Sequence, residues 1–369
     1  MSPFYKFLLL IVCLITGNTI LAQEDHKFHN TFLPAFGYTL QTNWAGVLNY
    51  NVGFYNGDST QDVQKISSLN TSITYTLNKQ VIFPIQANIW SKDKKYNFTT
   101  DFRFLQYPSV TYGLGSRSSL DNEVNINYNY LKLHQMVSRL IANNLYAGTG
   151  FFYDSYWNIE EVNKPASITS FERYGFNPKE KAVGLVVRLL YDSRRNQINP
   201  TNGWMGNLIY RPNYTFLGSD THWETLLLEG RKYFKPSKSS NNILAFWTYN
   251  VFTIAGKPPY LLLPSTGWDD FYNTGRGYIQ GRYRGRNMMY LESEYRFGIS
   301  RNGFLGGVVF ANAQSFSKDI KTELSVVAPG YGTGLRFKIN KHTNTNICID
   351  YAFGTDGSKG IFVNLGEVF

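Results

Sequence analysis

The chain has 369 residues, of which 43% are hydrophobic, 17% aromatic and only 17% charged, with a formal net charge of +10. A mean hydropathy of −0.28 excludes a bundle of membrane helices, but not a barrel, in which only every second residue must be apolar. The 27 Tyr, 27 Phe and 32 Gly suit antiparallel strands with tight turns and aromatic girdles. In an exported chain the positive charge points to anionic lipid head groups rather than nucleic acid.

Export is read from the first residues. Lys6 supplies a positive n-region, Phe7 to Ile15 an apolar h-region, and Leu21-Ala22 a small residue before Gln23. This pattern predicts a signal peptide over 1–22. Its apolar run is too short to span a bilayer as a helix, and Cys13 lacks a lipobox. Residues 23–31 are expected to form a short periplasmic tail, with His26 and His29 as solvated side chains rather than metal ligands. Residues 32–369 are expected to form one barrel. Cys348 is the one cysteine left after cleavage, so no intrachain disulfide is expected.

From there the chain repeats with period two, which gives each strand one apolar and one polar face. Leu69, Thr71, Ile73, Tyr75 and Leu77 alternate with Asn70, Ser72, Thr74 and Thr76. Tyr96, Phe98, Phe102 and Phe104 alternate with Asn97, Thr99, Asp101 and Arg103. Val124, Ile126, Tyr128 and Tyr130 oppose Glu123, Asn125, Asn127 and Asn129. Val183, Leu185, Val187, Leu189 and Tyr191 oppose Gly184, Arg188 and Asp192. Ile347, Ile349, Tyr351 and Phe353 oppose Asn346, Cys348 and Asp350. Sixteen strands are expected, near 33–40, 44–55, 68–77, 80–91, 94–106, 122–136, 143–156, 181–193, 202–213, 221–235, 241–255, 286–298, 302–314, 328–340, 343–354 and 358–369.

A soluble sandwich would also alternate. Runs of about ten residues with bulky apolar side chains on one face and both signs of charge on the other instead fit tilted strands around a wet lumen. With both termini in the periplasm, the long connections 107–121, 157–180, 256–285 and 315–327 lie outside the cell. The turns 92–93, 299–301 and 341–342 lie inside, and only 56–67 breaks that asymmetry. The expected fold is therefore all-β, a 16-stranded antiparallel transmembrane β-barrel, with the bacterial outer membrane as its place.

Four stretches carry a resemblance to a known family. Asp192-Ser193-Arg194-Arg195 followed by Pro200-Thr201-Asn202-Gly203 forms a hairpin motif. Gly275-Arg276-Gly277-Tyr278 sits in the longest connection. Arg286 to Phe297 ends in Glu-Tyr-Arg-Phe, and the chain ends on Leu365-Gly366-Glu367-Val368-Phe369. Together with Phe36-Gly37-Tyr38-Thr39 as a first strand, these resemble the barrel of the BamA/TamA surface-antigen family. The resemblance implies an inward-folded extracellular loop whose Arg276 pairs with lumen acids, here Glu294 and Glu292. The family's next strand often offers an Asp as the main partner, where this chain has Asn312. It implies that Leu365, Gly366 and Phe369 form a C-terminal insertion signal on the last strand. It also implies a weak seam between first and last strands where client strands pair. Gln23 to Thr31 leaves no room for the family's periplasmic POTRA repeats, so the resemblance covers the barrel alone.

Other signals are read structurally. Gly275-x-Gly277-x-x-x-Gly281 lacks the strand–helix context of a nucleotide loop. Arg276, Arg282, Arg284 and Arg286 form a basic cluster read as charge balance at the lumen or rim, with lipopolysaccharide phosphates as the second reading. No G-x-S-x-G, H-E-x-x-H or Cys–His site is present; no enzyme activity, cofactor or metal is expected. The expected function is assembly or insertion of outer-membrane proteins through the seam, with client barrels or accessory proteins and outer-membrane lipids as partners. A loop-gated pore or an accessory barrel is the alternative.

Overall fold

The computed structural model describes residues 28–56, 65–237, 240–320, 324, 326–341 and 344–369. The expected signal peptide over 1–22 and residues 23–27 of the expected tail lie outside them. Within them the strands run β1 (Phe28–Thr39), β2 (Asn43–Phe54), β3 (Ser67–Thr76), β4 (Val81–Trp90), β5 (Tyr96–Gln106), the short β6 (Ser109–Thr111), β7 (Val124–Ala142) and β8 (Leu145–Val162). They continue as β9 (Glu180–Asp192), β10 (Gly203–Asn213), β11 (Trp223–Phe234), β12 (Ile243–Gly256), β13 (Asn287–Gly298), β14 (Leu305–Ser317), β15 (Ala328–Asn340), β16 (Thr345–Phe353) and β17 (Lys359–Leu365). One short helix, α1 (Ser170–Gly175), opens on a capping box between Thr169 and Glu172, which satisfies two otherwise orphan N–H groups.

Every wall strand pairs antiparallel with the next, and β6 adds to β7 above the end of β5. Sixteen strands therefore build the wall, as the alternation predicts. β17 lies beside β1, closing the ring, but no ladder joins them among the described residues, whereas β1–β2 and β16–β17 are both in register. No described helix is long and apolar enough to cross a membrane.

The faces sort as strand chemistry requires. Leu185, Val187 and Leu189 on β9 are 49%, 57% and 41% exposed, pointing outward, while Arg188 and Asp192 are buried inside. On β13 the outward Met289 and Leu291 alternate with buried Glu292 and Glu294. Apolar residues outside and charges inside reverse the order of a water-soluble barrel and match a bilayer surround.

Four expectations need correction. β1 starts at Phe28, so residues 28–31 of the expected tail belong to the wall. β7 and β8 run to 19 and 18 residues, longer than a bilayer requires, so their loop-side ends rise above the lipid. There the apolar face turns inward: Val124, Ile126, Tyr128 and Tyr130 are buried, the last three packing with Tyr156, Ile159, Phe171, Tyr260 and Leu261 under the long connections. The same face carries Lys132 and Ser138 lower down. Finally, β17 stops at Leu365 and does not reach Phe369. Gly366, at φ +87°, turns residues 366–369 into the lumen, where Phe369 stacks on Trp247 at 5.3 Å.

Candidate functional site: the lumen and its inward loop

The connection 257–286 folds into the barrel from the long-loop end. Gly275 and Gly277 take φ of +77° and +109°, conformations that favour glycine, and a Cβ on Gly277 would lie 2.5 Å from the Phe353 carbonyl oxygen. Between them Arg276 is driven into the wall and is 1% exposed. Its Nη2 donates to Glu292 and Glu294, and its Nη1 to Asp350 on β16 at 2.5 Å. The guanidinium carbon Cζ lies 3.6 Å from the centre of the Phe310 ring, adding a cation–π contact. Burial alone would lower the pKa of Arg276; the carboxylates of Glu292, Glu294 and Asp350 outweigh it and hold the group above its ordinary value.

The charges around it form a closed set. Arg296 donates to Glu294 at 2.6 Å, and Arg336 bonds Asp350 at 2.5 Å and Glu367 at 2.9 Å. Tyr290 donates to Glu292. Asn312 Nδ2 donates 2.9 Å to the backbone carbonyl of Arg276. It therefore holds the loop's main chain and not the guanidinium, consistent with a neutral amide standing where the family often has an acid. Tyr278 donates to the Pro329 carbonyl at 2.5 Å and accepts from the Thr355 N–H at 3.0 Å. The sequence reading placed Arg276, Glu292 and Glu294 together. It gave no role beside them to Asp350, Arg336 or Phe310.

Room for this cluster comes from β15, whose inner face is bare from Gly330 to Gly334. A Cβ on Gly330 would lie 2.6 Å from the Arg276 carbonyl, one on Gly332 would lie 2.6 Å from the Phe310 ring, and one on Gly334 would strike the Asp350 carboxylate. The alternating glycines of Pro-Gly-Tyr-Gly-Thr-Gly were the signal available for this groove.

The basic cluster, expected at the lumen or rim, lies in the interior. Arg276, Arg282 and Arg284 are 1%, 4% and 3% exposed; Arg284 donates to the carbonyls of Tyr260, Leu261 and Leu263, and Arg282 to Ser118 at 3.1 Å. Arg286, half-buried, donates to the Gly256 carbonyl.

At the short-turn end the hairpin motif closes on itself. Asp192 accepts from the Arg194 N–H and Nε at 3.0 and 3.1 Å, and from Gln197 at 2.7 Å. Gly203, at φ +94°, lets the chain pass 2.9 Å from the Ser193 carbonyl, measured to an added Cβ. Pro200 and Thr201 shape the intervening turn. Lys65, from the connection between β2 and β3, donates to the Asp192 carbonyl at 2.5 Å and lies 4.3 Å over the Trp90 ring. Burial pushes its pKa down to about 8, against the opposing pull of Asp192.

Between the loop and the hairpin lies a chamber of about 460 Å³. Amides and hydroxyls line one side, among them Asn51, Asn70, Gln86 and Thr99. The loop tip crosses it: the Asp270 carboxylate is 3.1 Å from Lys132, and its carbonyl accepts from Arg103. Among the described residues no cluster of His, Cys, Asp and Glu could hold a metal ion.

Three solved barrels share this architecture at low identity. BamA from Haemophilus ducreyi lacking POTRA domains 1–3 superposes with a TM-score of 0.58 at 12% identity, covering 93% of this chain and 71% of that one. CdiB from Acinetobacter baumannii gives 0.57 at 14%, with 94% and 61% covered; CdiB from Escherichia coli gives 0.58 at 9%, with 93% and 63% covered. This chain thus spans under two thirds of either CdiB. No curated protein matches it in sequence. The model of the Omp85 superfamily domain matches residues 35–369, so the chain belongs to the Omp85 superfamily and is a bacterial outer-membrane β-barrel.

Proposed function

We propose that this barrel assists insertion of other outer-membrane proteins at the junction of β1 and β17. The observation that carries the reading is that no ladder joins them among the described residues, in a wall whose other neighbours are all joined by antiparallel ladders. A strand edge without a partner offers free N–H and C=O groups to an incoming strand, and β17, seven residues long, leaves much of β1 uncovered. The long-loop end faces outward, the hairpin end the periplasm. Cysteines placed in pairs across β1 and the last strand of a co-expressed barrel test this. Crosslinks confined to β1 and β17 are expected. Their absence, with normal outer-membrane protein levels in a deletion strain, rejects it.

The chamber under the loop favours one second reading, a pore closed by 257–286. Removing residues 267–280 then raises single-channel conductance in planar bilayers, and unchanged current rejects the gate.

A further inference from the structure

The two ends of the barrel differ in charge. Leaving aside the inward loop 257–286, the connections at the long-loop end contain seven Lys or Arg and seven Asp or Glu. Those at the short-turn end, up to β17, contain ten and three, and eight basic residues remain once Lys65 and Arg194, buried against Asp192, are set aside. The net charge of the connections thus sits at one rim. It is spread around that rim: the β4–β5 turn brings Lys92, Lys94 and Lys95, and exposed Lys235, Arg301 and Lys341 stand on three further turns. Asp93 is the one acid in the first of these, 3.1 Å from Lys95.

The strand ends beneath repeat the bias on the outer surface. Lys232 points outward on β11 with its Nζ 5.4 Å from the centre of the Trp204 ring, and Trp204 is 52% exposed. Arg139, exposed on β7, is in register with Tyr96 on β5, itself 40% exposed. Cations beside interfacial aromatics on the outside of a barrel face what surrounds it, not a soluble partner approaching along its axis. Aromatics at this depth mark the head-group level. Each basic residue near an anionic membrane surface adds attraction that is lost beyond a Debye length.

We propose that the short-turn rim is a binding surface for anionic phospholipid head groups, with Arg139, Lys232 and the turn lysines contacting phosphate and Trp204 packing at the glycerol level. This recruits negatively charged lipid to the periplasmic leaflet around the barrel. The proposal stands on the outer-membrane assignment and does not need the insertion reading.

Trp204 on the basic rim and Trp44 on the neutral rim, 52% and 44% exposed, make reporters for the test. The full chain is reconstituted in phosphatidylcholine vesicles containing brominated phosphatidylglycerol or brominated phosphatidylcholine, and tryptophan quenching is compared in the wild type, Trp204→Phe and Trp44→Phe. The Trp204 component should be quenched severalfold more effectively by the glycerol lipid at low salt, and the Trp44 component equally by both. The preference should fall towards one in K92Q/K95Q/K235Q/R301Q/K341Q and in molar salt. Heat-modifiable gel mobility checks folding; should the fivefold variant fail it, K235Q/R301Q serves, with a partial loss expected. Equal quenching of Trp204 by both lipids, or a preference that survives the substitutions, overturns the proposal. So does a rim that shows no lipid preference but retains an acidic periplasmic protein which the variant loses.

Discussion

The wall of β13–β16 and the wall of β2–β4 share one backbone architecture and differ in what fills the space behind it. Behind β13–β16 three arginines and four carboxylates interlock with the inward loop, all buried. Behind β2–β4 there are amides and hydroxyls facing the chamber, with contacts such as Asn49 to Asn70 at 2.9 Å. No ion pair involves a described residue of those three strands. The two walls share their β-ladders and differ in this buried charge set, where unpairing any member leaves an isolated charge in low dielectric. β2 lies beside β1 and β16 beside β17, so the two walls flank the junction, and strand exchange would have less to undo on the side of the loosely filled one.

The largest effect should come from breaking the locked wall. Arg276→Ala leaves Glu292, Glu294 and Asp350 facing one another without their shared cation, and should cost about 3–5 kcal/mol in urea unfolding of the reconstituted barrel. Arg276→Lys should recover less than half, since one ammonium cannot address three carboxylates in the guanidinium's fork geometry. A loss under about 1 kcal/mol for the alanine variant would mean the two walls are equally held.

Next comes a tie from the loosely filled wall to the β9–β10 hairpin. Lys65 joins the β2–β3 connection to the β9–β10 hairpin through Asp192. Its pKa in the fold, about 8, lies below the ordinary 10.5 because burial disfavours the ammonium. Below pH 8 both folded and unfolded chains hold the proton, and the burial cost is fully present. Between pH 8 and 10.5 the unfolded chain binds more protons, so stability rises with pH, by roughly 3 kcal/mol over the window. Unfolding midpoints of wild type and Lys65→Met across pH 7–11 should show this rise in the wild type alone. A wild-type curve that falls with pH relative to Lys65→Met rejects the buried tie.

Gly332→Ala probes the groove that admits the charge set. Its Cβ would lie 2.2 Å from a position occupied by the neighbouring main chain, the Tyr351 carbonyl oxygen, and should cost about 1–3 kcal/mol. Gly206 on β10 has nothing within 4 Å of an added Cβ, so Gly206→Ala should be close to neutral. Equal losses at both sites would show that β15 is not specially crowded.

Much of the wall was legible because alternation is a local property. Val183 to Asp192 declares two faces by itself, and the strand limits follow within a few residues. Which face meets lipid is not local. Val124 to Tyr130 alternates like its neighbours yet turns its apolar side inward, because β7 has left the bilayer there and a capping layer including Phe171 and Tyr260 replaces lipid. The loop anchor was half legible: Arg276, Glu292 and Glu294 are near in sequence, whereas Asp350 lies 74 residues from Arg276 and joins through the register of β15 with β16, where it faces Gly334. Phe369 reads as a strand terminus; its turn into the lumen depends on Gly366 and on Trp247, five strands away from β17 around the wall.

The smallest change should come from the loose wall itself. Asn70→Ala removes one hydrogen bond to Asn49 at a half-exposed site beside the chamber. Asn70 lines the chamber, so water can enter the space its side chain leaves and accept from the Asn49 Nδ2 that donated to it. The net loss should be only about 0.5 kcal/mol, at the low end for a hydrogen bond. Paired with Arg276→Ala in a double-mutant cycle, it should add without coupling, since the two sites share no partner. A coupling above about 1 kcal/mol would show that the amide wall and the charge cluster hold the barrel as one unit, and the contrast between them would have no energetic counterpart.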